Sequence, residues 1–161
     1  MHPAAWLVPR HVAEKAGPWN ESLSLNDDGE YFARVALAAE QIAFTADPAA
    51  AVHYRSQLKG SLSGSRSRTA MDSLFRSGEL MQHHILARED SSRIRQALAD
   101  NWRYLSFELY PSAPELSREA EKRSAMLGGS AITAPLGRRA AFVARVLGWR
   151  LAKRIALALP R

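Results

Sequence analysis

The chain has 161 residues, with 22 Lys and Arg against 16 Asp and Glu, a net charge of +6, and no cysteine. That length corresponds to about one domain with a modest core, and the absence of cysteine excludes disulfides, thiolate metal sites and a cysteine nucleophile. The positive charge is local: residues 138–161 hold seven Lys and Arg and no acid, so the remainder carries 15 bases against 16 acids, a net −1.

The first residues, Met1-His2-Pro3-Ala4-Ala5-Trp6, lack a basic region followed by an apolar run, so no secretory signal is expected and a cytoplasmic chain is the default. Val8 to Ala16 suits a short helix, with Gly17 to end it and Pro18 beyond as a stop. After a turn comes an acidic cluster, Asn26-Asp27-Asp28-Gly29-Glu30. Asn26 or Asp27 can cap the helix that follows, in which Phe32, Val35, Ala36 and Ala39 recur at the spacing of one buried face.

Three carboxylates in four positions repel one another and raise some of their own pKa values unless a cation or a helix N-terminus relieves them, which suits base or metal chemistry. The same placement also suits a purely structural role, because a helix N-terminus stabilises each negative charge by roughly 0.3–1 kcal/mol. Spacing alone leaves the two readings open.

Ile42–Thr45 and Ala50–Tyr54 are candidate short strands around the turn signal Asp47-Pro48. Residues 56–66, rich in Ser and Gly, read as a mobile loop. From residue 69 the pattern turns helical. Met71, Leu74, Phe75, Met81 and Ile85 mark one helix, and Ile94, Leu98, Trp102, Leu105 and Leu109 a second. Pro111 and Pro114 precede a short charged helix, Glu115–Met126, which Gly128-Gly129 ends. Gly137–Ala158 reads as one further helix bearing Phe142, Val146, Leu147, Trp149, Leu151, Ile155 and Leu157. It is too charged to span a bilayer, since each central Arg or Lys costs about 2.5–3.5 kcal/mol, but it can lie on a membrane surface or on a partner.

Several of these segments together resemble a known family. Leu7-Val8-Pro9-Arg10, Gly17-Pro18-Trp19-Asn20-Glu21, Asp27-Asp28-Gly29-Glu30 with Arg34, and Tyr54-Arg55 before Ser61-Leu62-Ser63 resemble, in order and spacing, the second half of family 2 glycosyltransferases over about the first 80 residues. The family pattern is Glu-Asp-x-Asp with an arginine four residues after the last acid; here Asp27 replaces the first Glu and Glu30 the last Asp.

The resemblance implies an α+β, predominantly helical chain: the acceptor-side, C-terminal part of a GT-A-like catalytic domain over residues 1–65, a helical extension over 66–127, a linker over 128–137 and a basic helix over 138–161. It implies inverting transfer of a sugar from a nucleotide-sugar donor to a hydroxyl of a sugar or lipid-linked acceptor, in polysaccharide or glycoconjugate synthesis. Asp28 corresponds to the catalytic base, which in-line attack requires to take the hydroxyl proton as the C–O bond forms. Asp27 and Glu30 would hold the acceptor or support Asp28; Trp19, Glu21 and Arg34 are the acceptor-binding candidates. His53, Arg55 and Lys59 are candidates for the leaving diphosphate, whose growing negative charge needs cations.

His53 on a strand is more often an ordinary packed histidine than a metal ligand or phosphate contact, and Trp19 more often a core aromatic than a sugar-stacking one. The complete enzyme of this type uses a divalent metal, Mg or Mn, held with the donor diphosphate by an Asp-x-Asp motif. This sequence contains no Asp-x-Asp, so no cofactor is expected for this chain alone, which on this reading is an inactive half. The alternative is a non-catalytic helical interaction module with a basic tail that meets the inner face of a membrane or a partner. Nucleic acid is not expected, because the tail interleaves its bases with aliphatic residues and no nucleic-acid motif accompanies it.

Overall fold

The computed structural model describes residues 3–53 and 64–158, without the side chain of residue 139. The described residues are all-α: seven α-helices, two single turns of 3-10 helix and no strand. The chain divides into two compact units, Met1–Ile94 and Arg95–Arg161.

The first unit holds α1 (Arg10–Ala16), α2 (Asp27–Ala38) and α3 (Arg68–Arg88). Helix α1 ends at Gly17, whose backbone N–H bonds the carbonyls of Ala13 and Glu14. Helix α2 packs on both α1 and α3, burying Val12, Val35, Ala70, Met71, Leu74 and Phe75 together with Leu23 from the turn between α1 and α2. On α3 the small residues Ala70, Ser73 and Ser77 are buried on one face at i, i+3 and i+7. Their size lets the turn ahead of α2 come close enough to bond side chains rather than water.

Ser73 does most of this. Its hydroxyl accepts from the backbone N–H groups of Ser24 at 2.8 Å and Leu25 at 2.9 Å, and donates to the Leu25 carbonyl at 3.0 Å. One turn further along α3, Ser77 accepts from the Asn26 side-chain amide at 2.8 Å. Asn26 therefore does not cap α2 with its side chain, as its position suggests; it takes the left-handed conformation at φ 59° and points its amide at α3. This bears on residue 29 as well: a Cβ there would lie 2.4 Å from the Asn26 Oδ1 atom, so any residue but glycine would push the Asn26 side chain aside.

The expected α+β character is not found. Neither Ile42–Thr45 nor the described part of Ala50–Tyr54 is a strand; both are exposed, with Ala50 in a 3-10 turn that the Asp47 side chain caps through the Ala49 N–H at 2.9 Å. The physical reason is the missing ladder partner. β-Branched and aromatic residues favour a pleated surface only where a neighbouring strand and a covering face exist, and Ile42 and Phe44 have neither among the described residues. A GT-A-like domain built on a sheet is thus not the fold of these residues.

The second unit contains most of α4 (Ser92–Leu109), α5 (Pro114–Met126), α6 (Arg138–Leu147) and α7 (Trp149–Ala158). Leu98, Ala99, Trp102, Leu105, Phe107, Leu109 and Ala120 form its core. Two serines of α5 replace apolar contacts at the α4 boundary: Ser117 donates to the Ser106 carbonyl and Ser124 to the Ala99 carbonyl, each at 2.8 Å. Beyond α5, the Gly129 N–H returns to the Ser124 carbonyl at 2.8 Å and closes the helix end. The single helix expected over 137–158 is two, broken at Gly148, where φ is 79°. That left-handed conformation is open to glycine and costly for a residue with a Cβ. None of the described helices is long and apolar enough to cross a membrane.

Because Ser73 serves two backbone donors, Ser73→Ala strands both in a part-buried turn. We expect about 1–3 kcal/mol of lost stability from such orphaned donors, read as a lower midpoint in urea denaturation, with an unchanged far-UV spectrum for the folded state.

Candidate functional site

The acidic cluster occupies the first turn of α2, where the backbone N–H groups point outward and favour negative charge. The three carboxylates do not share one fate.

Glu30 is buried, 2% exposed, and both its oxygens are occupied. The Arg34 guanidinium, one turn on, donates from Nε to Oε1 at 2.7 Å and from Nη2 to Oε2 at 3.0 Å. His84 of α3 lies 3.2 Å from Oε1 through Nε2. Arg34 has work beyond this pair: its Nη1 donates to the Ala16 carbonyl and its Nη2 to the Pro18 carbonyl at 2.9 Å, so one side chain fastens the end of α1 and the Gly17-Pro18 turn to α2. The hydrogen bond and charge of Glu30 raise the Arg34 pKa, against a smaller opposing effect of burial. A raised cationic pKa stabilises the fold below the ordinary value and is lost only as pH climbs past the shifted one. The Arg34 contribution is therefore constant through neutral pH.

Asp27 is tied to Trp19, whose indole N–H donates to Oδ2 at 2.9 Å. The Trp19 ring lies on Tyr31 at 4.3 Å between centroids and meets the edge of Phe32, while Trp6 stacks on the opposite side chain of that pair, Phe32, at 4.6 Å. Trp19 is not a core residue; it is 38% exposed and forms the outer member of an aromatic shelf beside the cluster.

Asp28 is the remaining acid. Among the described residues its carboxylate is engaged only by the backbone N–H of Gly29, at 2.9 Å, and it is half-buried. Glu21 is exposed on the turn that Asn20 closes by accepting from the Ser22 N–H at 3.1 Å. His53 is exposed in residues 51–53, outside any packed surface. Arg55 and Lys59 lie outside the described residues.

The carboxylates present do not fit a divalent cation. Glu30 is neutralised by an arginine and approached by a histidine, Asp27 accepts from an indole, and no group of three or more His, Asp or Glu among the described residues converges on a point. The chemistry open to the cluster is that of a carboxylate base or hydrogen-bond acceptor next to an aromatic surface. A separate shallow groove of 340 Å³ is walled by Lys15, Arg34, Leu37, His84 and Arg88; neither Asp27 nor Asp28 lines it.

Two participants escaped the sequence reading. His84 is 54 positions from Glu30 and Ser77 is 51 from Asn26; both lie in an amphipathic helix where only the apolar spacing was informative. A signal existed for the first, since a buried glutamate in a packed helix needs cations, but not for which cation would supply it.

No protein-family model, curated protein or solved structure matches this chain. The family resemblance stands on the quoted residues alone.

Removing one partner of a buried ion pair leaves the other uncompensated. Arg34→Met should cost about 3 kcal/mol and loosen the Ala16–Pro18 turn, measured as a shift in the denaturation midpoint and as faster amide exchange at Gly17 and Trp19.

Proposed function

We propose that residues 17–34 are the acceptor side of an inverting, nucleotide-sugar-dependent glycosyl transfer, with Asp28 as the base. The observation that carries the reading is the division of the three acids. Glu30 is committed at both oxygens to Arg34 and Asp27 accepts the Trp19 indole, whereas Asp28 is the one acid that no side chain engages among the described residues. A base must keep a lone pair for the incoming hydroxyl. The motif order, rather than any sheet-based fold, ties this arrangement to family 2 glycosyltransferases.

In this reading Trp19 offers its exposed ring to the apolar face of an acceptor sugar, and its bond to Asp27 fixes the ring's tilt. The acceptor hydroxyl sits against Asp28, which takes its proton as the oxygen attacks the donor carbon and the nucleotide diphosphate departs. Glu30 and Arg34 touch no substrate; they hold the start of α2 against Ala16 and Pro18 so that Asp28 and Trp19 keep one relation. Donor binding, with its metal and diphosphate contacts, belongs to a complementary nucleotide-binding half.

An acceptor side should bind saccharide by itself and ignore nucleotide sugar. Saturation-transfer NMR of the full chain with a panel of neutral oligosaccharides should show weak binding that Trp19→Ala abolishes and Asp28→Asn reduces, and calorimetry should show no uptake of nucleoside diphosphate sugars. Absence of any saccharide contact, or nucleotide-sugar binding without it, would contradict the reading.

A further inference from the structure

We propose that α6 and α7 form a two-helix docking surface for an anionic lipid bilayer, a role independent of the acidic cluster. Glu121 is the last acid of the chain, so everything from Lys122 onward carries only positive or neutral side chains.

The bases of this stretch divide by direction. Arg150 reaches Glu121 of α5, and Lys153 donates to the Phe107 carbonyl of α4. The Trp149 ring meets the edges of Phe107 at 4.8 Å and Tyr110 at 5.4 Å, and Ala152 is 1% exposed. One face of α7 is thereby fastened to the second unit. Helix α6 packs against α7 across the Gly148 break.

The other faces are apolar and uncovered. Phe142 and Val146, one turn apart on α6, are 70% and 74% exposed, and Leu151 and Ile155, one turn apart on α7, are also exposed. Burying such side chains in the second unit would be favourable, yet they point away from it. An exposed arginine lies within a turn of each stripe: Arg138 and Arg145 flank Phe142 at i−4 and i+3, and Arg154 follows Leu151 at i+3.

This interleaving matches the boundary between headgroups and acyl chains, where aliphatic and aromatic side chains enter while arginines extend to lipid phosphates. A helix of 10 residues, about 15 Å long, is too short to span and suited to lying in the interface. A second copy is a poor occupant: a self-complementary contact through this face would oppose arginines to arginines with no acid on either side. Charge and pattern thus favour an anionic bilayer.

Flotation of the full chain with phosphatidylcholine vesicles, with and without phosphatidylglycerol, tests this directly. The chain should float with the anionic vesicles, remain behind with the neutral ones, and be released by high salt. Phe142→Ser with Val146→Ser, and separately Arg138→Gln with Arg145→Gln and Arg154→Gln, should each weaken binding about tenfold or more with unchanged circular dichroism. Equal flotation on both vesicles, or none, overturns the proposal without recourse to variants. So does a dimer in sedimentation that the Phe142 and Val146 changes dissolve, which would assign the face to a second copy.

Discussion

The first unit depends on the ion pair between Glu30 and Arg34. A carboxylate that is 2% exposed is a liability unless cations meet it, and here it receives two hydrogen bonds from a guanidinium that gives two further ones to the carbonyls of Ala16 and Pro18. Three segments with little apolar surface of their own, the end of α1, the Gly17-Pro18 turn and the start of α2, are held in register by one side chain. His84 brings α3 to the same carboxylate. Without this polar centre the small apolar core around Val12, Val35 and Met71 would leave the Gly17-Pro18 turn unanchored.

The pair also sorts the acidic cluster chemically. Like charges at a helix start are tolerable when each finds relief, and relief comes in three forms: a cation for Glu30, an indole for Asp27, and partial solvent with one backbone N–H for Asp28. The least committed acid is also the one that the motif order assigns to proton transfer. Asp28 also serves the helix start through the Gly29 N–H, and the functional reading attaches to it because it is the acid that no side chain engages among the described residues.

How much was legible in the sequence follows from the range of each interaction. Helices α3 and α4 were readable because their apolar residues repeat at short range, and Leu98, Trp102, Leu105 and Leu109 are buried as that spacing requires; α5 was readable from the prolines before it and the glycines after it. The arginine at i+4 from Glu30 was likewise readable at short range. The strands were misread because four or five β-favouring residues describe a preference, and a sheet also needs partners that Ile42 and Phe44 lack here. Gly148 was read through, since the apolar pattern continues on both sides of it and only the backbone angle shows the break. Asn26 looked like a cap because its residue type suits one; Ser77, 51 positions on, drew its amide elsewhere.

The central claim, that Glu30 holds the fold while Asp28 is kept for chemistry, is tested most directly by equilibrium unfolding of Glu30→Gln and Asp28→Asn side by side. The account predicts that Glu30→Gln loses about 3 kcal/mol, as expected when a buried partner of a charge is neutralised, and that Asp28→Asn is unchanged or slightly more stable because a like charge has been removed from the cluster. An Asp28→Asn variant destabilised as much as Glu30→Gln would show that Asp28 is a structural acid and would contradict the account.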